Sequence, residues 1–331
     1  MDASGRKAFW DTLCSLHTYD NESLRKLIAA APVPQELCRF RAVSENSLLQ
    51  LQNNEQFFST ANYYDDPFDS YFRIDIRTLQ DGYTSLRREF DQGNKEKVKE
   101  YLTAFGFDGH LDQALQIMDA TDVDISLLKM SLEDVRDLVR KQICSICFCE
   151  DALNETMWLK YADQHKGFVQ VYDFSIPDTL LCGKEEKCKK CGIIRNPPGI
   201  FPVYYANEMY DGTQYAIGLL VQEKLSAILP SIPELGHKIL LLSAVWQTER
   251  ISLIKKECHH YDQEWRMLLP TPYTNRPRIR MKPKSVLIGL RTPDYEKQLI
   301  LSAARIAGIQ EIYQVVINDD NLLGKQKISE A

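Results

Sequence analysis

Apolar residues recur at helical spacing through the first thirty positions, with Trp10, Leu13 and Leu16 followed by Leu24, Leu27 and Ile28, until Pro32 and Pro34 end the run. This rhythm predicts a helical N-terminal extension over residues 1–36. The period then drops to two in Cys38-Arg39-Phe40-Arg41, which reads as a strand. Ser44 to Leu51 reads as a short capped helix, and Gln56-Phe57-Phe58-Ser59 as another strand. Asp65-Asp66-Pro67-Phe68-Asp69 has the composition of a turn, because Asp side chains bond nearby backbone and Pro presets its own dihedral.

Residues 75–142 are charged and helical in period, and Ser131-Leu132-Glu133-Asp134 looks like the N-terminal cap of a helix through Arg140. Next come a strand at Ile143 to Cys149, a helix at Met157 to Gln164 that puts Tyr161 and His165 on one face, and a strand at Phe168 to Tyr172. Two longer helices are expected at Thr213 to Leu229 and His237 to Lys255, followed by a strand carrying Glu264. Ser285 to Gly289, Tyr295 to Ala307 and Ile312 to Val316 read as strand, helix, strand. The expectation is an α+β protein with a central mixed or split sheet. Its main domain would span residues 37–320 with a helical insertion at about 75–142, and residues 321–331 would form a C-terminal tail.

At 331 residues and 44% apolar composition the chain can bury a large core without staples. No run of eighteen apolar residues appears, and Met-Asp-Ala-Ser-Gly-Arg-Lys lacks a signal core, so the expected location is the cytoplasm, with no membrane partner. Nine cysteines without framework spacing fit reduced thiols. A net charge of −6 argues against general nucleic-acid coating. One stretch differs: from Arg276 to Lys284 a cation falls on every second residue, so an extended chain would line one side with charge. That rail is either a charge-protected edge strand or a contact for a nucleic acid or protein acceptor.

The candidate chemistry centres on Glu264, set in Tyr261-Asp262-Gln263-Glu264-Trp265-Arg266, where apolar and aromatic neighbours can tune a carboxylate. His165 is a candidate acid or base, since its charge changes near neutral pH. Cys182, Cys188 and Cys191, with Cys258 as a fourth donor, match a partial structural zinc site, or alternatively a solvated loop of free thiols. No P-loop or Rossmann glycine fingerprint is present, which removes kinase, ATPase and dehydrogenase readings, and the lack of a Gly-flanked nucleophile elbow leaves nucleophilic catalysis poorly supported.

Several segments, in order over about residues 37–320, resemble the signature of the domain of unknown function 2971 family: Cys38-Arg39-Phe40-Arg41, Leu48-Leu49-Gln50-Leu51, Phe57-Phe58-Ser59, Asp65-Asp66-Pro67-Phe68-Asp69, Cys147-Phe148-Cys149-Glu150, Met157 through Phe168, Val203 through Glu208, Tyr261 through Arg266, and Ile288-Gly289. The chain departs from that pattern at Asp65, Cys149 and His259. A weaker similarity, in the order basic strand, aromatic and late glutamate, is to ADP-ribosyltransferase folds.

That second resemblance implies an enzyme consuming nicotinamide adenine dinucleotide (NAD), as transferase or glycohydrolase, in the setting of a toxin or phage-defence effector. It implies Glu264 as the essential carboxylate, Tyr161 against the nicotinamide ring, and Arg39 or Arg41 on the pyrophosphate, with Trp158 and Arg266 as further cofactor-binding candidates. Such chemistry suits a carboxylate beside a cation-like sugar and a guanidinium on phosphate. The alternative is a non-catalytic nucleotide- or protein-binding module whose cysteine loop is held by zinc.

Overall fold

The computed structural model describes residues 1–104, 125–176, 179–181, 199–216, 219, 246–269 and 277–328. Two helices open the chain, α1 (Ala3–Ser15) and α2 (Asn21–Ala30), capped by the Asp2 and Asp20 carboxylates, which accept from the Gly5 and Ser23 amides. Strand β1 (Glu36–Arg41) leads to α3 (Glu45–Gln52), where Ser44 and Ser47 form a reciprocal capping box. Short strands β2 (Glu55–Phe57) and β3 (Ser59–Thr60) follow. Three helices follow among the described residues, α4 (Ile76–Asp91), α5 (Lys95–Ala104) and α6 (Ile125–Gln142). Helix α6 begins six residues before Ser131, so that serine is an interior position and not a cap.

The middle of the chain supplies β4 (Cys144–Cys149), α7 (Glu155–Tyr161), β5 (Phe168–Asp173), β6 (Leu180–Leu181), β7 (Ile200–Pro202) and β8 (Tyr204–Ala206). Of the two longer helices expected next, residues 217–218 and 220–245 lie outside the described residues. The second expected helix ends earlier than its period implied: α8 (Gln247–Ser252) stops at Ser252, and Lys255 belongs to strand β9 (Ile254–Lys256). The β-branched, apolar Ile254 pairs with Tyr204 in that strand, and tertiary pairing overrides the local helical period. Then come β10 (Glu264–Leu269), β11 (Arg278–Met281), β12 (Ser285–Ile288), α9 (Asp294–Ile306), β13 (Glu311–Ile317) and β14 (Leu323–Lys327).

The main sheet is mixed, in the order β14-β13-β12-β5-β1-β4-β10-β7, with β3 also paired to β4. Only β12 and β13 run parallel in it, joined by α9, as a parallel pair requires a crossover. A second sheet, β2-β11-β6, is smaller. The architecture is α+β.

Register assigns the faces. Cys38 stands opposite Cys149, and Cys149 opposite Glu264, so these three share one face, with Phe40, Val169 and Leu287. Helix α7 covers that face through Met157 and Trp158. The other face carries Leu37, Phe148, Tyr172, Trp265 and Met267, and is covered by α1, α2 and the second sheet, whose Ile279 and Met281 enter the same core. Helices α3 and α9 cover its flank over Phe168, Val286 and Ile288. No described helix is long and apolar enough to cross a membrane.

Candidate functional site

Glu264 opens β10 directly after Gln263, whose backbone is left-handed at φ 44°. On this strand Glu264 and Arg266 point to the same face, and the Arg266 Nε donates to Glu264 Oε1 at 2.7 Å. The far end of the same guanidinium grips Asp69, with Nη1 to Oδ1 at 2.8 Å and Nη2 to Oδ2 at 2.6 Å, and also donates to the Ser252 carbonyl at 2.6 Å. Lys255 completes the cluster, donating to Asp262 Oδ2 at 2.7 Å and Glu264 Oε2 at 3.1 Å, with Asp69 Oδ2 at 3.7 Å. All five charged groups are buried.

Burial alone would push the Glu264 carboxyl up, but Arg266 and Lys255 outweigh it and hold the group well below the ordinary carboxylate range. Lys255 is likewise raised, because Glu264 and Asp69 overcome the burial that would lower it. Cys147, directly opposite Arg266 in the sheet, is pushed up to about 12 by burial and by the Glu264 charge, with Arg266 opposing the rise. Both Glu264 oxygens are therefore engaged, and its side chain is only 6% exposed. A cavity of about 220 Å³ on this face of the sheet is lined by Cys38, Glu150, Asp151, Val171, Leu287 and Lys325, and does not reach Glu264.

Tyr161 is half-buried beside this cluster; burial raises its phenol, with Lys255 opposing and Asp262 and Glu264 adding to the rise. His165 does not share a helical face with Tyr161. Helix α7 ends at Tyr161, and Asp163, Gln164 and His165 all adopt left-handed backbone at φ 45°, 56° and 69°. The His165 ring stacks on Trp158 at 6.1 Å, and burial lowers its pKa. Trp158 is fully buried, donates its indole N–H to the Ala152 carbonyl at 2.8 Å and meets Phe40 edge-on. The turn containing His165 is pinned to the segment after β12 by the Gly289 and Arg291 amides, which donate to the Gly167 and His165 carbonyls at 2.9 Å each. Gly167 and Gly289 permit that approach: a Cβ at either would stand 2.1 or 2.2 Å from a backbone oxygen.

Arg39 and Arg41 are elsewhere. They alternate with Cys38 and Phe40 along β1, so they point to the face opposite Glu264 and the sheet lies between. The expected convergence of an early arginine with Glu264 and Tyr161 is thus corrected: Glu264, Arg266 and Tyr161 come together, and the β1 arginines do not join them. Arg39 and Arg41, both half-buried, donate to Gln56 Oε1 at 2.6 Å and to Gln50 Oε1 at 2.8 Å. Gln56 Nε2 donates in turn to Gln170 Oε1 at 3.2 Å.

The basic rail is not an edge strand, for β11 is the middle strand of the second sheet. Its alternation is as expected, with Ile279 and Met281 buried and Arg278 exposed. Arg278 lies 3.4 Å from Glu55, and Lys284 bridges Glu36 at 2.6 Å and Asp173 at 3.2 Å, which uses part of the charge within the chain. Cys182, Cys188, Cys191 and Arg276 lie outside the described residues. Cys258 is exposed, and among the described residues no three His, Cys, Asp or Glu side chains stand so as to hold a metal ion.

The groups missed by period and motif are the lone polar members of apolar runs. Lys255 follows Ile251, Leu253 and Ile254, and Gln170 sits inside Phe168 to Tyr172. A single polar residue in a run that buries both faces is itself a signal, because it needs a specific partner. No family model, curated protein or solved structure matches the chain.

Proposed function

We propose that the chain is a nucleotide-binding module, with Arg39 and Arg41 as the recognition groups and Glu264 as a structural member of a buried ionic cluster. What carries this reading is the placement of two half-buried guanidiniums side by side on one face of β1, Arg39 meeting Gln56 of the second sheet and Arg41 meeting Gln50 of α3, a setting in which planar, paired donors suit phosphate oxygens. The similarity to ADP-ribosyltransferase folds supports the ligand class, since its early strand arginine is a phosphate ligand. It does not extend to bond cleavage by Glu264. A carboxylate that assists departure of nicotinamide needs an oxygen facing the sugar, and here one oxygen meets Arg266 and the other Lys255.

The test is filter binding of labelled ATP and NAD to the full chain, with product analysis after long incubation. Both nucleotides should be retained and recovered intact, and Arg39→Lys should bind about tenfold more weakly, as expected when a bidentate donor becomes a point charge. Release of nicotinamide by the natural chain, abolished in Glu264→Gln without loss of folding, would replace this reading with the NAD-consuming enzyme.

A further inference from the structure

The cavity of about 220 Å³ opens on the same face of the main sheet as Glu264, over β1, β5 and β12, and its walls divide by chemistry. Its floor is apolar: Cys38, Val171 and Leu287 are buried there and pack as one cluster, with Leu153 at the side. The Cys38 thiol donates to the Cys149 carbonyl at 3.2 Å, so the floor has no hydrogen left for an entering group. The mouth is charged. Two of its carboxylates are already used: Glu36 accepts from Lys284 at 2.6 Å, while Glu150 takes Arg6 at 2.6 Å and the Trp265 indole on one oxygen and the Met1 ammonium on the other. Asp151 and Lys325, both exposed, differ. Asp151 accepts from the Leu153 amide at 2.8 Å, and the Lys325 ammonium rests 4.9 Å from the centre of the Tyr313 ring; neither forms an ion pair among the described residues.

We propose that this cavity is a second ligand site, for a free amino acid with an apolar side chain: the side chain lies on Cys38, Val171 and Leu287, the α-ammonium faces Asp151 and the α-carboxylate faces Lys325. The site is independent of the nucleotide-binding reading, since Arg39 and Arg41 point to the opposite face of β1. Size, floor and mouth select this ligand class together. The cavity is smaller than the roughly 300–1,000 Å³ of sites for drug-sized ligands, which suits a molecule of amino-acid size. Hydrocarbon gains by leaving water on such a floor, and a polar side chain loses its hydrogen bonds there. One carboxylate and one ammonium without ion-pair partners match a zwitterion, whereas a simple amine or a simple acid would engage only one of them. The Asp151 charge also reaches the floor: burial is the main cause that raises the Cys38 thiol, and Cys149 and Asp151 add to the rise.

The experiment is calorimetric titration of the full chain with leucine, with 3-methylbutylamine and 4-methylpentanoate, which are leucine without its carboxylate and without its amino group, and with glycine, which lacks the side chain. It is repeated on Asp151→Asn and Lys325→Gln. Both positions are exposed, and Asn keeps an acceptor for the Leu153 amide, so both variants should melt as the natural chain does. Leucine should bind the natural chain at least about tenfold more tightly than each of the other three, and each variant should lose about tenfold of that affinity, as for one hydrogen bond between charged groups. Asp151→Asn should leave 4-methylpentanoate unaffected and Lys325→Gln should leave 3-methylbutylamine unaffected; this crossed pattern supports the assignment of the two ends. Absence of leucine binding, or leucine affinity unchanged in both variants, overturns the proposal. Binding of 3-methylbutylamine as tight as leucine overturns the zwitterion, and glycine as tight as leucine overturns the role of the floor.

Discussion

Arg266 holds Asp69 through two parallel hydrogen bonds of 2.8 and 2.6 Å across 197 residues of sequence, and the pair ties the turn at 65–69 to β10, next to the end strand of the main sheet. That contact joins two segments far apart in the chain and gives each of them a structural reason: the terminal Asp of one and the Arg of the other are two halves of one buried ion pair. Ser70, immediately after Asp69, has left-handed backbone at φ 53°, a conformation that costs a non-glycine residue about 1 kcal/mol and that the ion pair offsets.

Replacing Arg266 with Met should therefore be severe. It leaves Asp69 and Glu264 buried beside Lys255 alone, and loss of one partner from a buried pair costs about 3–5 kcal/mol. Urea unfolding should show this drop in the midpoint. The double change Arg266→Met with Asp69→Asn should recover part of it, because one uncompensated charge is removed.

Acid sensitivity follows from Glu264 of this cluster and from Asp173, which lies apart from it at the end of β5. Glu264 is depressed below its ordinary 4.5 and Asp173 from 3.8 to about 2, through its bonds to Ser175 and Lys284, opposed by burial. A carboxyl depressed in the folded state contributes stability that is complete above its unfolded value and is lost as pH falls through the folded one. Stability should hold from neutral pH down to about 5 and decline steadily from about 4.5 toward 2. Lys255, raised in the folded chain, contributes fully below its unfolded 10.5 and loses its share only above that pH. Chemical denaturation at a series of pH values measures both limbs, and Glu264→Gln should flatten the acid one.

The expected strands and helices were legible wherever period and caps agreed: α1, α2, α3, β1, β4, β5, β10, β12 and α9 all follow local pattern. The site was legible in its parts and not in its assembly. Glu264, Arg266, Arg39 and Arg41 are visible as charged residues in strands, but whether β1 and β10 show the same side chains to one face depends on β4 lying between them, and pairing order is not encoded in either strand. Tyr161 and His165 were placed together by helical spacing, which failed because three left-handed residues follow Tyr161; the bonds that enforce them come from Gly289 and Arg291, more than a hundred residues away.

Those bonds make a further prediction. Gly289→Ala would place a methyl group 2.2 Å from the His165 carbonyl oxygen, and Gly167→Ala one 2.1 Å from the Arg41 carbonyl oxygen. Each requires backbone to shift, so each should destabilise by about 1–3 kcal/mol or more. Hydrogen exchange should localise the loosening to residues 162–167 and 289–292.

Arg6 is expected to matter as much as a core residue. Its guanidinium donates to the Val203 and Glu264 carbonyls at 2.8 Å each and to Glu150 at 2.6 Å, which fastens α1 to the start of β10. Arg6→Ala should cost about 2–4 kcal/mol by leaving those acceptors buried and unpaired. Limited proteolysis should then release the first thirty residues earlier than in the natural chain.

The most direct measurement is thermal unfolding of Glu264→Gln beside Arg39→Lys, each with and without AMP. A glutamine offers one oxygen where Arg266 and Lys255 need two, so Glu264→Gln should melt well below the natural chain, while Arg39→Lys should melt as the natural chain does and lose the stabilisation by AMP. A Glu264→Gln chain that melts normally, binds nucleotide normally and has lost only an ability to cleave NAD would contradict the account.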